Sequence, residues 1–344
     1  MALTAPSTVP RRSTEIGDLT FQGVNTYARH RRVEIGPARV EEEICLVKLV
    51  SYRATAGAPL IAGVQTGEAI VDVRIAARAA GLADQVVDGL SSVRAVLRLG
   101  AADRGRLAEA AVMANGAAIP ATDVEIGPPI PDPQKIICLG LNYRDHAAEA
   151  GLAPPEAPMF FAKYPNSLAG PSADIVPPAT TEKVDYEAEL AVVIGKAGRG
   201  IDESDALDHV AGVMALNDVS ARDLQLANNL WTGGKAIDTF APCGPSLVTL
   251  DEIGDVQALG LRTRVNGETV QDGTTGSMIF GVAKTIAFLS QIMTLEIGDI
   301  IATGTPAGVG QSRTPPLFLR DGDVVEVELE GVGTLRNTVV GPRV

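Results

Sequence analysis

The sequence predicts an α+β fold dominated by strands, with a small N-terminal domain over residues 43–130 and a larger one over 131–344. Three observations carry this. Short apolar runs such as KIICLGL, ELAVVIG, VAGVMALND and DVVEVELEG are separated by Gly/Pro turns through the larger part. Strands and helices do not alternate regularly there, which argues against a doubly wound parallel sheet. Helical spacing is concentrated in one Ala-, Leu- and Arg-rich block, residues 74–115.

Residues 1–42 carry Arg11, Arg12, Arg29, Arg31, Arg32 and Arg39 among few large apolar groups. Such a composition resists independent folding, so this stretch reads as an N-terminal arm, partly disordered on its own. An Arg-rich start also suits an organelle transit peptide, but Glu15, Asp18 and Glu34 count against that. From Ile44, the runs ICLVKLVSY, PLIAGVQ and EAIVDVR, punctuated by AGAP and TGE, predict three strands. VRAVLRL and RLAEAAVMAN then predict helices packed beside them. The proline-rich IPATDVEIGPPIPDPQ predicts an extended linker and a boundary near 118–134.

The 344 residues are 46% hydrophobic, enough for a sizeable core. The formal charge of −13 repels phosphate backbones, which excludes nucleic acid as a partner. No run reaches the roughly 18 apolar residues of a membrane span, and MALTAPSTVPRR lacks a secretory apolar core, so the expected location is the cytoplasm. Cys45, Cys138 and Cys243 stand far apart without CxxC spacing, and read as plain buried thiols. With three histidines in the whole chain, a multi-histidine metal site is disfavoured.

The chemistry begins in VDYEAELAVVIG. Tyr186, Ala188, Leu190, Val192 and Ile194 alternate with Glu187, Glu189, Ala191 and Val193, the period of a strand. Glu187 and Glu189 then share one face about 6.6 Å apart, and both cannot stay ionised in apolar surroundings without a cation. For a lone ExE, a solvent-facing strand whose glutamates keep it soluble is the default reading. Asp218 shifts the balance, because it closes the apolar run VAGVMALND and lets a second strand deliver a third carboxylate. Three carboxylates without His or Cys favour Mg²⁺ or Mn²⁺, with positions left for substrate.

In order, LNYRDHAAEAG, DYEAEL, NDVSARDLQ, WTGGKAIDTFAP, TGTPAGVG and GDVVEVELEGVGTLRN closely resemble the fumarylacetoacetate hydrolase family, over about residues 135–340. The resemblance implies a mixed β-roll catalytic domain, a homodimer, and Mg²⁺ or Mn²⁺ on Glu187, Glu189 and Asp218. His146 and Glu149, three apart on a short predicted helix, share a face, so the carboxylate can orient the imidazole; the resemblance makes them a dyad on a segment that orders over substrate. Lys235 follows two glycines that let the backbone approach a pocket, and the resemblance places it with Gln225 at the reacting carbonyl. It also assigns Thr305 to substrate and matches Lys163 to a pocket lysine, although Tyr164 replaces the family's usual proline. Arg222 suits a substrate carboxylate or a structural pair with Asp218 or Asp223.

The substrate so implied is a small 2-oxo or 2,4-dioxo acid. In a hydrolysis, His146 assisted by Glu149 deprotonates water, Lys235 and Gln225 stabilise the oxyanion, and C3–C4 cleavage leaves a pyruvate enolate. The main expectation is therefore a C–C hydrolase of acylpyruvates. Isomerisation of a hydroxymuconate-type diacid and decarboxylation of oxaloacetate use the same site and stand as alternatives. A non-catalytic binding protein on the same fold is the reading from another class.

Overall fold

The computed structural model describes residues 48–341; the arm read over 1–42 and Cys45 lie outside the described residues. A mixed 12-stranded sheet forms the frame. From its centre to one edge it runs Lys48–Arg53, Ala241–Val248, Val210–Asn217, Ala188–Ile194, Ile300–Ala302, Ile136–Gly140 and Met159–Lys163. Neighbours in this series are antiparallel except Ile300–Ala302 beside Ile136–Gly140, which is parallel. A separate four-stranded antiparallel sheet contains Glu268–Thr274, Gly260–Val265, Val324–Leu329 and Gly333–Thr338. The strand-dominated α+β expectation holds.

Strand Ala188–Ile194 is buried along its whole length, because each face meets a different core. Leu190, Val192 and Ile194 pack with Leu261, Val325, Val327 and Leu335 of the small sheet and with Ile286 and Leu289. Ala191 and Val193 face the other way, with Ile136, Cys138, Ala76, Val96 and Leu107. Burying each large aliphatic chain contributes about 1.5–3 kcal/mol, so the strand's two-residue period is strongly specified. A one-residue slip would exchange Leu190 with the charged Glu189.

The Ala-rich block forms four helices, Val73–Ala79, Asp84–Gly89, Val93–Leu97 and Ala101–Met113. Asp72 caps the first, accepting from the Arg74 N–H at 2.7 Å. Where the sequence suggested a linker, strands Ile119–Pro120 and Glu125–Gly127 pair with Ala69–Asp72 and Lys48–Arg53. The reason is apolar: Ile119, Val124 and Ile126 pack on Val50, Tyr52 and Ile70. In the larger part, helix Val282–Ile292 was not expected, although VAKTIAFLSQI buries Val282, Ile286 and Leu289 on one stripe. Cys138 and Cys243 are free and buried, and no helix among the described residues is long and apolar enough to cross a membrane.

Candidate metal centre

Glu187 immediately precedes strand Ala188–Ile194 and Glu189 lies within it, and Asp218 follows the end of its antiparallel neighbour, Val210–Asn217. The chain end is fixed locally by two bonds. The Glu187 N–H donates to Asn217 Oδ1 at 3.0 Å, and the Asp218 N–H donates to the Glu187 carbonyl at 2.9 Å. The two strand ends are thereby held together, and one carboxylate oxygen from each of Glu187, Glu189 and Asp218 lies within 4.8 Å of the others. All three side chains are buried.

Their electrostatic states differ. Burial would raise Glu187, but the charges of Arg222 and Lys235 outweigh it and hold its carboxyl far below the usual range. Lys235 Nζ donates to Glu187 Oε2 at 2.6 Å and to Asp218 Oδ2 at 2.9 Å, and Arg222 Nη2 stands 2.6 Å from Glu187 Oε1. Burial also disfavours the charged form of Lys235, yet the Asp218 and Glu187 carboxylates raise it overall. Glu189 goes the other way: burial first, then Asp218 and Glu187, push its carboxyl well above the ordinary value. Among the described residues its close donor is the Gly304 N–H, 2.8 Å from Oε2. Gly304 has φ +92°, and a Cβ there would stand 2.9 Å from Asn142 Cβ, so the TGT turn needs glycine to bring that N–H to Glu189.

Among the described residues, four buried carboxylates at the centre, Asp185, Glu187, Glu189 and Asp218, face three buried cations, Lys163, Arg222 and Lys235. The uncompensated charge falls on Glu189. A divalent cation on Glu187, Glu189 and Asp218 would answer that excess, and the all-oxygen donor set would suit a hard ion.

The other expected residues fall into two groups. His146, Gln225, Lys235, Arg222 and Thr305 line one cavity of about 180 Å³ with Glu187 and Glu189, and Phe161 and Trp231 form part of its wall. His146 and Glu149 lie on helix Arg144–Glu149, with Nδ1 3.3 Å from Glu149 Oε2. Glu149 Oε1 accepts from the Gly308 N–H at 2.9 Å, tying this helix to the TGTPAGVG loop, while Arg144 Nη1 donates to the Met278 carbonyl at 2.9 Å. Thr305 Oγ1 accepts from Gln271 Nε2 at 2.9 Å.

Lys163 is not brought to the cavity. Its ammonium is buried beneath the carboxylates, 2.7 Å from Asp218 Oδ1, and donates to the carbonyls of Val219, Phe240 and Lys235. Every donor of this ammonium is spent on the protein, so it acts as an internal strut, a correction to its expected place in the pocket. Arg222 does form a structural pair, but with Asp185 and Glu187 instead of Asp218 or Asp223. Asp223 is instead turned toward the Glu182 N–H and the Thr181 hydroxyl.

Asp185 was missed. Fully buried, it accepts from Arg222 Nε at 2.8 Å and from the N–H groups of Tyr186, Gly310 and Gln311 at 2.9, 2.7 and 3.0 Å. A signal was available, since residues 185, 187 and 189 share the two-residue period. Gln271, whose Oε1 accepts from the Ala188 N–H, and the aromatic pair Phe161–Trp231 had no comparable signal.

Residues 135–340 match the family described as Fumarylacetoacetate (FAA) hydrolase C-terminal. The chain belongs to the fumarylacetoacetate hydrolase family. It is 46% identical over 235 residues to the mitochondrial oxaloacetate tautomerase fahd2 of Xenopus laevis, covering 68% of this chain and 74% of that protein. The fold is similar to a fumarylacetoacetate hydrolase from psychrophilic Exiguobacterium antarcticum, with TM-score 0.70 and 36% identity over 86% of this chain and 99% of the other. It is also similar to the 2-hydroxyhepta-2,4-diene-1,7-dioate isomerase of Mycobacterium marinum, with TM-score 0.65 and 32% identity over 86% and 98%. Members of the fumarylacetoacetate hydrolase family thus carry tautomerase, hydrolase and isomerase names on one fold.

Proposed function

We propose that this chain is a Mg²⁺- or Mn²⁺-dependent enzyme that interconverts the keto and enol forms of a small 2-oxo diacid of the oxaloacetate type by moving a proton at C3. The observation that carries the reading is one cavity in which Glu187 and Glu189 of the buried carboxylate triad meet one imidazole, that of His146. Its volume, about 180 Å³, is below the roughly 300 Å³ at which pockets for drug-sized ligands begin, and suits a small acid. The tautomerase name of the Xenopus laevis relative and the isomerase name of the Mycobacterium marinum structure support proton transfer over C–C cleavage.

Glu187, Glu189 and Asp218 would hold the ion, each offering one carboxylate oxygen from a set that lies within 4.8 Å of one another. A bound ion would supply Lewis acidity to the 2-oxo acid and so make the C3 hydrogens more acidic. In forming the enol, His146 takes the C3 proton and passes it to solvent while the 2-oxo oxygen gains a proton from solvent, and the reverse direction returns a proton to C3; Glu149 faces Nδ1 and leaves Nε2 for the substrate. Gln225 turns its Oε1 to Arg222 Nη1 at 3.0 Å, so its amide N–H groups are free to donate to the enolate oxygen. Lys235, beside the same carboxylates, adds positive charge where the enolate forms.

Acylpyruvate hydrolysis is the second reading, favoured by the same His146–Glu149 pair, which is equipped to activate water. The proposed assembly is a homodimer, supported by the exposed Met159 and Phe160 on edge strand Met159–Lys163. Decay of the ultraviolet absorbance of enol-oxaloacetate on protein loaded with Mn²⁺ tests the function. Acceleration should fall roughly 10²- to 10⁴-fold in His146→Ala. A wild-type protein silent in this assay that releases pyruvate from acetylpyruvate would establish the hydrolase instead.

A further inference from the structure

We infer that Trp231 is a specificity-determining wall that limits the size of the substrate beyond its 2-oxo acid end, an inference that rests on the function proposed above. Trp231 lines the cavity at whose base stand Glu187 and Glu189. Three features fix the indole in place. Its edge lies against the backbone of Gly140, where a Cβ would stand 2.4 Å from Trp231 Cζ3, so the ring occupies space that any side chain at 140 would fill. It meets Phe161 in an edge-to-face contact, with centroids 5.6 Å apart and planes at 69°. Gly140 and Phe161 belong to the paired strands Ile136–Gly140 and Met159–Lys163, so the surface behind the indole is the sheet itself. The ring cannot retreat without moving a strand.

The indole is also placed relative to the carboxylates. Trp231 immediately precedes the helical turn Thr232–Lys235, and the far end of that turn is pinned by Lys235 Nζ on Glu187 and Asp218. The same ammonium lies 5.1 Å from the Phe161 ring centroid, so Phe161 adjoins both the charged base of the cavity and the indole. A 2-oxo acid chelated at the triad therefore extends its third and later carbons along Phe161 toward a fixed aromatic barrier. Small substituents fit, and bulky acyl or aryl groups collide with Trp231.

The test is binding, read by calorimetry on protein loaded with Mn²⁺, with oxalate, N-methyloxamate and N-benzyloxamate as inert mimics that share the chelating end and differ in bulk. Wild type should bind oxalate and N-methyloxamate, and discriminate against N-benzyloxamate on the order of 10- to 100-fold. Trp231→Ala should still bind oxalate and reduce that ratio to about threefold or less, with Trp231→Phe between the two. Equal affinity of the wild type for both oxamates, or an unchanged ratio in Trp231→Ala, would overturn the inference while leaving the proposed function standing. Loss of oxalate binding in Trp231→Ala would also overturn it, because the residue would then support the metal end. Failure of the Mn²⁺-loaded wild type to bind oxalate would overturn the function itself, and this inference with it.

Discussion

Replacing Asp185 by alanine should destabilise the protein far more than the same change at Asp223. The side chain is wholly buried and accepts four hydrogen bonds, one from Arg222, one from the adjacent Tyr186 N–H, and two from the N–H groups of Gly310 and Gln311 that join strand Val184–Asp185 to the end of TGTPAGVG. Alanine orphans the N–H groups of Gly310 and Gln311 and removes one of the two carboxylates that hold the buried guanidinium. Breaking a buried pair from one side costs about 3–5 kcal/mol. Arg222 keeps Glu187 and Gln225, so the lower half of that range is expected. At about 2–3 °C per kcal/mol for a chain of this size, the melting temperature falls on the order of 6–12 °C by scanning calorimetry. Asp223→Ala is the control, because this acid is only partly buried and its loss should cost about 1 kcal/mol. Because Arg222 also orients Glu187, Mn²⁺ affinity should weaken roughly 10- to 100-fold in Asp185→Ala and much less in Asp223→Ala. Equal melting temperatures for the two variants would refute the reasoning.

Glu189→Gln should act in opposite directions with and without metal. Burial and the neighbouring Asp218 and Glu187 raise the folded-state pKa of Glu189, so ionising it costs stability as pH rises above the ordinary carboxylate range. With chelator at pH 8, the glutamine variant should melt above the parent; with Mn²⁺, only the parent should gain. A parent more stable than the variant in chelator would show that Glu189 already has its counter-charge. Glu149→Ala removes both the Gly308 and His146 contacts, whereas Glu149→Gln can still accept from Gly308. Amide exchange over residues 144–151 should therefore accelerate roughly tenfold in the alanine variant and little in the glutamine one. The same protection in all three proteins would mean that the latch contributes nothing to holding this helix.

What the sequence determined by itself was everything that depends on spacing along one segment. The two-residue period of VDYEAELAVVIG put Glu187 and Glu189 on one face, and three-residue spacing put Glu149 beside His146, because strand and helix geometry are local. The ordered motifs of residues 135–340 carried the family, since each is a local requirement of one shared site. Partners distant in the chain were decided by the tertiary structure alone. Lys163 and Asp218 are 55 residues apart in sequence yet 2.7 Å apart in space, and the destination of that ammonium depends on how strand Met159–Lys163 docks at the sheet edge. The choice of Asp185 over Asp223 by Arg222 likewise follows from the pairing of Ala221 with Val184, and the short strands in the proline-rich stretch exist because Tyr52 offers them an apolar surface. Charge and hydrophobic contact act through space, so residue types and spacing can nominate the participants, while only the packed sheet selects which of them meet.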